Sequence, residues 1–251
     1  MTIIRKIAGY LFTIYAFAIF TVMMLLLFPF VVIASFFGKI RGGNLIYHIC
    51  RFWASIVLFC LGIRHRNILE TTRPHTQAVV YVFNHISYMD IPMLLKAFPR
   101  QHIRILGKAE MGKIPVFGYI YRKAVVMVSR ESEESRLRSV REMNKMLRQD
   151  ISVVIAPEGT FNMTGEPLKE FYNGAFKIAV QTQTPVQPVL LLDAYDRLHY
   201  NSIFSLSPGR SRAVFLPEQM PGKDVALLKQ QVYVAMEDGL KRYKASWIKN
   251  G

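Results

Sequence analysis

A histidine and an aspartate five residues apart form the first pair of side chains that could do chemistry. His85 and Asp90 lie in the segment NHISYMD, which follows the apolar run Ala78–Phe83. Five residues within one helix would turn the two side chains apart by about 140°, so they meet only if His85 lies in the turn and Asp90 begins the next helix. The carboxylate would then hold one ring nitrogen, and the other would accept a proton from a hydroxyl group. The pair predicts a general base; the alternative is a surface histidine near a helix-capping aspartate.

A glutamate, a glycine and a threonine follow a second apolar run. Glu158, Gly159 and Thr160 come directly after the segment 151–157. A glutamate at the carboxyl end of a strand offers an acceptor to sugar-like or glycerol hydroxyls, and the glycine lets a ligand approach the backbone closely. We predict that this segment binds a substrate. The alternative is a glutamate that only caps the next turn.

Two basic residues stand near the ends of other predicted strands. Lys108 follows the run Ile103–Leu106, and Arg130 follows the run Ala124–Val128. An arginine binds phosphate through two parallel hydrogen bonds, whereas a lysine contributes a compact charge. We predict that both bind a phosphate group. The alternative for each is a solvated surface charge.

These side chains need secondary structure to hold them. Short β-branched runs bounded by turn formers or charges predict six strands, at 78–83, 103–106, 124–128, 151–156, 186–192 and 212–216. Amphipathic patterns predict helices over 132–150 and from 224 to about 247, the first with a buried stripe of Leu137, Val140, Met143 and Leu147. Alternating strands and helices predict an α/β domain over residues 64–251, with a mainly parallel or mixed central sheet flanked by helices.

The amino terminus, residues 1–63, is predicted to be a membrane-associated helical segment. No charged residue occurs from Ile7 to Gly38, and a second apolar stretch runs from Leu45 to Ile63 with Arg51 in its middle. The first run exceeds the roughly 20 residues that a straight spanning helix needs, and we expect Pro29 to kink or break it. Two arrangements fit: a tilted spanning helix followed by an interfacial helix, or a helical hairpin that dips into one leaflet.

Composition narrows the class of protein. The chain has 251 residues, 51% of them hydrophobic, and a net charge of +15. Such a charge points to an anionic partner: a lipid surface, an acidic ligand or a nucleic acid. The uncharged amino terminus argues against a nucleic-acid-binding protein. Two cysteines without ligand-spaced partners exclude a disulfide scaffold and a cysteine-built zinc site.

The order of four motifs carries a family resemblance. Along the chain come Asn-His-x4-Asp, then Lys-x-Glu…Ile-Pro-x-Phe-Gly…Ser-Arg, then Pro-Glu-Gly-Thr, then Val-x-Pro-Val. Between about Val79 and Val189 these motifs resemble the 1-acylglycerol-3-phosphate acyltransferases, which are membrane-bound enzymes of phospholipid synthesis. The apolar amino terminus extends the resemblance loosely.

The resemblance implies an activity and roles for the residues above. A fatty acyl group would move from a thioester, on coenzyme A or acyl carrier protein, to the hydroxyl of a lysophospholipid, most simply 1-acylglycerol-3-phosphate, giving phosphatidate. His85 would be the base and Asp90 would orient it, with no metal or cofactor. The partners would be membrane lipids and the two substrates, at the cytoplasmic face of the inner membrane. The residues implied for substrate binding are Lys108, Arg130, Glu158, Gly159 and Thr160.

One position departs from the family pattern. The residue after Glu-Gly-Thr is commonly an arginine that binds phosphate, and here it is Phe161. Lys169 or Lys177 would restore the charge only by folding back toward it. Two alternatives therefore remain: an O-acyltransferase for a lyso-aminolipid or other lysolipid, with the same base and a different headgroup pocket, and a non-catalytic membrane lipid-binding protein.

Overall fold

The computed structural model describes residues 3–71, 77–99, 101–129 and 131–248. The strands in these ranges are β1 Ile63–Leu69, β2 Val80–Phe83, β3 Ile103–Lys108, β4 Val125–Val128, β5 Ser152–Ile155, β6 Val186–Leu191 and β7 Gly209–Phe215. The helices are α1 Ile3–Ser35, α2 Gly43–Cys60, α3 Asp90–Ala97, α4 Phe117–Ala124, α5 Glu133–Leu147, α6 Gly174–Thr182, α7 Ala194–Arg197 and α8 Val225–Arg242.

The strands form one mixed seven-stranded sheet, in agreement with the predicted fold class. Their order is β1-β7-β6-β2-β5-β3-β4. Strands β6, β2, β5, β3 and β4 run parallel, β7 is antiparallel to β6, and β1 is parallel to β7. The central strands β2, β5 and β6 are buried along their whole length, as expected for strands covered on both faces. The five parallel strands therefore bring their carboxyl ends to one edge of the sheet.

All six predicted strands are present, and one strand was missed. β1 has the sequence IRHRNIL, in which charged and apolar residues alternate, and it lies at the edge of the sheet. The sequence prediction placed a domain boundary at its start instead of a strand. An edge strand with one solvated face lacks the continuous apolar run by which the other strands were identified.

The two predicted helices are also present, with shorter bounds. The Ser132 hydroxyl accepts a hydrogen bond from the Ser135 N–H and caps α5, and Asp224 caps α8 in the same way. The amphipathic pattern of α8 places Leu228, Val232, Met236 and Leu240 on one face, and all four are buried. The prediction of a buried Leu137 in α5 is wrong. It is about half exposed, and Met146 is buried instead because the helix turns a different face to the sheet.

The amino-terminal segment forms a helical hairpin against the sheet domain. α1 continues through Pro29 to Ser35 without the predicted break, and a π-helical turn, Gly38–Gly42, leads into α2. Two segments, 6–35 and 38–60, are long and apolar enough to cross a membrane by length and composition, which indicates membrane association. α1 leaves many of its apolar side chains exposed.

The hydrophobic core extends from the sheet into the hairpin. Ala54, Val57 and Leu58 of α2 belong to the same buried cluster as the central strands. The core therefore crosses the predicted boundary between residues 63 and 64. The division of the chain into two domains at that point stays a prediction.

Candidate active site

His85 and Glu158 lie at the carboxyl ends of two neighbouring parallel strands. His85 follows β2, and Glu158 follows β5, which pairs with β2 in parallel. Loops at the carboxyl ends of parallel strands are where α/β folds place ligand-binding groups. The sheet topology thus brings together two motifs that are 73 residues apart in the chain.

His85 and Asp90 are in direct contact. The imidazole Nδ1 lies 2.7 Å from Asp90 Oδ2. The same carboxylate oxygen accepts hydrogen bonds from the backbone N–H groups of Ile86, at 2.9 Å, and Ser87, at 3.0 Å. Asp90 is the first residue of α3 and is fully buried. The aspartate begins the helix while its carboxylate folds back over the turn, which is the arrangement that the spacing requires.

The pair fixes the tautomer of the imidazole. A carboxylate only accepts hydrogen bonds, so Nδ1 carries the ring proton and the neutral ring keeps a lone pair on Nε2. The His85 side chain is 22% exposed, so this ring is neither sealed in the core nor fully solvated. A histidine held in this way can accept a proton from a hydroxyl group that approaches Nε2.

Glu158 faces the protein backbone with both carboxylate oxygens. Oε1 accepts from the His85 N–H at 2.9 Å, and Oε2 accepts from the Lys169 N–H at 2.9 Å. The residue is only 1% exposed, and burial raises the pKa of its carboxyl to about 7, against the opposing effect of these two donors. Its observed contacts therefore hold the base loop and the following loop together. The predicted contact with an acceptor hydroxyl stays a prediction.

Two asparagines that the sequence prediction left without a role complete the support of His85. The Asn162 N–H donates to the His85 carbonyl at 2.7 Å, so this contact and the bond from the His85 N–H to Glu158 hold the backbone of the histidine from both sides. The Asn84 side chain exchanges hydrogen bonds with the N–H and carbonyl of Leu191 in β6. Both asparagines are buried. Asn84 was visible as part of the first motif, whereas nothing in the sequence distinguished Asn162.

Phe161 packs directly against the base. Its ring centroid lies 4.4 Å from that of His85 and 4.8 Å from that of Tyr88, both in edge-to-face geometry. Tyr88 itself is largely exposed. At the position where the family commonly has an arginine, this chain therefore places an aromatic wall beside the imidazole.

A lysine approaches the same loop from the carboxyl-terminal side. Lys169 Nζ donates to Thr160 Oγ1 at 2.6 Å. Restoring a charge near Phe161 requires Lys169 to fold back, and in the structure it does so as far as the neighbouring Thr160. Gly159 has a φ of +73°, a conformation that favours glycine, so this position in the loop suits the residue found there. Lys177 lies exposed on α6.

The remaining predicted residues are less closely gathered. Lys108 ends β3 and is more than half exposed, with Nζ 3.9 Å from Glu110 Oε1. Arg130, predicted to bind phosphate, lies outside the described residues. Ser87 donates its hydroxyl proton to the Leu198 carbonyl at 2.6 Å and accepts from the Met89 N–H, so it serves the turn.

Comparison with characterised sequences gives the family. A profile described as Acyltransferase matches residues 65–192, about half of the chain. The 1-acyl-sn-glycerol-3-phosphate acyltransferase of Helicobacter pylori is 30% identical over 58% of this chain and 61% of its own length. The corresponding Cocos nucifera protein is 26% identical over 81% and 63%. The lyso-ornithine lipid O-acyltransferase of Pseudomonas aeruginosa is 32% identical over 56% and 52%. The chain thus spans less than two thirds of these relatives' length.

Comparison with solved structures agrees over the whole chain. The crystal structure of the 1-acyl-sn-glycerophosphate acyltransferase from Thermotoga maritima superposes with a TM-score of 0.77 at 26% identity, covering 98% of this chain and all of that one. The family profile includes both strand ends that carry His85 and Glu158. The chain belongs to the acyltransferase family, together with the 1-acyl-sn-glycerol-3-phosphate acyltransferases.

Proposed function

We propose that this chain is a membrane O-acyltransferase that moves a fatty acyl group from a thioester to the free hydroxyl of a lysophospholipid. The acceptor we favour is 1-acylglycerol-3-phosphate, and the product is then phosphatidate. The observation that carries the proposal is the 2.7 Å contact between His85 and Asp90 at the carboxyl edge of the sheet. A buried carboxylate that orients a partly exposed imidazole is the arrangement needed to activate an alcohol.

The reaction follows from that geometry. The acceptor hydroxyl gives its proton to His85 Nε2 while its oxygen attacks the thioester carbonyl, forming a carbon–oxygen bond. Asp90 stabilises the imidazolium that results. When the tetrahedral intermediate collapses, the carbon–sulfur bond breaks and the thiolate takes the proton from Nε2. The base returns to its starting state, and the acyl group is never attached to the protein.

Lys169 supplies an electrostatic partner for the acceptor phosphate despite Phe161. Lys169 Nζ lies on Thr160 Oγ1, one residue before the aromatic ring that contacts His85. We propose that Lys169 and Thr160 bind the headgroup oxyanion from this side, with Lys108 and Arg130 as further phosphate ligands. Glu158 and Gly159 then shape the loop that the glycerol portion approaches.

A lyso-aminolipid acceptor is the second candidate. The aromatic wall of Phe161 and Tyr88 replaces a cationic side chain beside the base. Aromatic faces attract ammonium groups, which an aminolipid headgroup supplies and lysophosphatidate does not. A relative named as a lyso-ornithine lipid O-acyltransferase is 32% identical to this chain. The same base serves both acceptors.

The donor and the location belong to the same proposal. Acyl coenzyme A and acyl carrier protein are both anionic, and a net charge of +15 attracts either of them and an anionic lipid surface. Both donors are cytoplasmic, so we place the site at the cytoplasmic face of the inner membrane.

A panel of donors and acceptors tests the function. The purified full-length chain in neutral detergent is given acyl coenzyme A or acyl carrier protein with lysophosphatidate or lyso-ornithine lipid, and thiol release and acylated lipid are measured. We expect turnover with lysophosphatidate, and a loss of about 10²- to 10⁴-fold in His85→Ala. The exposed histidine variant His102→Ala is the matched control and keeps wild-type turnover.

The outcomes separate the candidates. Turnover with lyso-ornithine lipid alone would overturn the acceptor and keep the mechanism. No thiol release with any pair would favour the non-catalytic lipid-binding protein. Near wild-type turnover in a folded His85→Ala would remove the histidine from its role.

A further inference from the structure

A basic cavity lies beside the turn Gly38–Gly42, which joins the two helices of the amino-terminal hairpin and which we call the hinge. It is separate from the candidate active site. It has a volume of about 300 Å³ and lies between the end of α1, the start of α2 and the amino ends of β3 and β4. We call it the hinge pocket. The lining residues are Ser35, Gly38, Lys39, Gly43, Ile46, Arg104, Arg122, Lys123, Val125, Val126 and Met146.

The hinge pocket is separate from the acyl-transfer site. Arg104 pairs with Val153 of β5, and Val153 pairs in turn with Val80 of β2. Arg104 is therefore level with Val80, whereas His85 lies five residues further along the same direction. At about 3.3 Å per residue the two sites are about 16 Å apart along the strands. The hinge pocket lies at the amino ends of the strands, and His85 lies beyond the carboxyl end of β2.

Positive charge in the hinge pocket exceeds negative charge. Among the described residues that line the pocket, four are cations and no residue is acidic. The cations are Lys39, Arg104, Arg122 and Lys123. Lys39 forms an ion pair with Glu142. The other three bond to neutral groups: Arg122 to the Gly112 carbonyl, and Lys123 to the face of the Tyr119 ring. The third is Arg104.

Arg104 is held in place with its charge buried. The residue is 3% exposed, and its Nη2 donates to the Ile40 carbonyl at 3.2 Å and to Asn44 Oδ1 at 2.8 Å. A side chain at Gly43 would place its Cβ 2.4 Å from Nη2, so the glycine leaves room for the guanidinium. Burial lowers the pKa of Arg104 to about 10. A buried cation with only neutral partners is stabilised by an anion that enters beside it.

We propose that the hinge pocket binds the phosphate of an anionic membrane phospholipid as a second lipid site, distinct from the site of the acceptor. Phosphate matches cations of this type, since guanidinium and ammonium groups donate several charge-assisted hydrogen bonds to its oxygens. The membrane is the source that the surroundings favour. Phe36 and Phe37, just before the hinge, are exposed at the end of the apolar helix α1. A bound headgroup there would hold the hairpin against the sheet domain.

Lipid binding by the full-length chain in neutral detergent tests this site. The probes are dioctanoyl phosphatidylglycerol, dioctanoyl phosphatidylcholine and inorganic phosphate. The variants are Lys123→Gln and Arg122→Gln, with the exposed Lys177→Gln as a control that loses the same charge. Arg104 is left intact because it holds the hinge carbonyls. We expect phosphatidylglycerol to bind wild type and the control equally, and each pocket variant about fivefold more weakly.

Each other outcome has a defined meaning. Equal affinity in the pocket variants and the control would overturn the site. Tight binding of inorganic phosphate without binding of phosphatidylglycerol would overturn the membrane headgroup as its source. The KM for the acceptor should stay within twofold in every variant, and a parallel rise in that KM would make the pocket part of the acceptor site. Failure of acyl transfer by wild type would leave the binding result standing.

Discussion

We propose that Phe161 and Lys169 together determine how this chain binds the headgroup of its acceptor. Phe161 takes the place of a family arginine and packs on His85, and Lys169 reaches Thr160 from nine residues further along. A cation therefore lies beside this loop, but it comes from Lys169 instead of from position 161. If both arrangements bind the same oxyanion, restoring the arginine should compensate for losing the lysine.

That compensation can be measured. We expect Lys169→Met to raise the KM for lysophosphatidate by about tenfold with little change in kcat, because it removes one charge-assisted hydrogen bond made to the bound headgroup. Adding Phe161→Arg to this variant should bring the KM back toward wild type. Lys177→Met is the matched control. A KM in Lys169→Met no higher than in that control would contradict the assignment.

Glu158 links the site to pH through stability. Its folded pKa is raised from 4.5 to about 7 by burial, so the folded chain keeps this proton over a range in which the unfolded chain has released it. The contribution of protonated Glu158 to the free energy of unfolding is fully present below about pH 4.5 and is lost as the pH rises through about 7. The pKa of Glu158 in the folded chain is roughly 2.5 higher than its ordinary value, which corresponds to a loss of about 3 kcal/mol in the free energy of unfolding once the pH has risen past both values.

We expect Glu158→Gln to abolish this part of the pH dependence. The thermal midpoint of wild type relative to the variant should fall between pH 5 and pH 8, since only wild type pays for ionising a buried carboxyl. The exposed Glu170→Gln should follow wild type. Parallel curves for wild type and Glu158→Gln would show that the carboxyl titrates alike in the folded and unfolded chain.

At the residue scale, the sequence predicted which side chains come into contact, but it did not predict whether a side chain points toward a ligand or toward the backbone. The contact of His85 with Asp90 could be predicted because a strand end and a helix start set it locally. The orientation of Glu158 could not, because it depends on the path of the backbone as far as Lys169. A glutamate that faces a ligand and one that faces backbone N–H groups look the same in a sequence.

At the scale of elements, the Asn162 side chain makes four hydrogen bonds within the loop after β5. Asn162 donates from Nδ2 to the Glu166 and Pro167 carbonyls, and its Oδ1 accepts from the N–H and the hydroxyl of Thr164. Its own N–H supports His85. Because the asparagine is buried, water replaces these partners poorly.

We expect Asn162→Ala to destabilise the fold and to slow the reaction. Leaving buried carbonyls without a donor costs about 1–3 kcal/mol, and a looser loop lets Phe161 and His85 shift, so kcat should fall in the protein that remains folded. Thermal unfolding and single-turnover rates measure the two effects. Asn173→Ala, at an exposed asparagine without a side-chain cap, is the control and should change neither. An unaltered rate in Asn162→Ala would mean that the loop does not position the base.

Elements with strong periodicity were predictable, and those defined by tertiary contacts were not. The six apolar strands and the caps of α5 and α8 are local features of composition and pattern. β1 exists because β7 offers it a partner along seven residue pairs, a condition that its own polar sequence does not reveal. The exposed Leu137 has the same origin, since the face that α5 turns to the sheet is set by packing.

At the scale of the whole molecule, both ends of α1 contact the sheet domain. Tyr10 packs edge-to-face on Phe204, at 4.7 Å between ring centroids, in the loop after α7. Ser35 hydrogen-bonds the Tyr119 hydroxyl of α4 at 2.8 Å. The 25 residues between these contacts span about 38 Å as a helix, more than the roughly 30 Å of a hydrocarbon core. If α1 crossed the bilayer, parts of one sheet domain would lie on both sides of it.

We therefore expect α1 to lie along one leaflet, which selects the hairpin from the two arrangements that the sequence left open. In a background without Cys50 and Cys60, the variants Lys6→Cys and Arg41→Cys mark the two ends of α1, and Lys177→Cys marks the sheet domain. A membrane-impermeant maleimide applied to sealed vesicles of either orientation should label all three cysteines from the same face, because the contacts at Phe204 and Tyr119 hold both helix ends beside that domain. Labelling of Lys6→Cys only from the face opposite to Lys177→Cys would mean that α1 crosses the bilayer and that its contact with Phe204 is broken in the membrane.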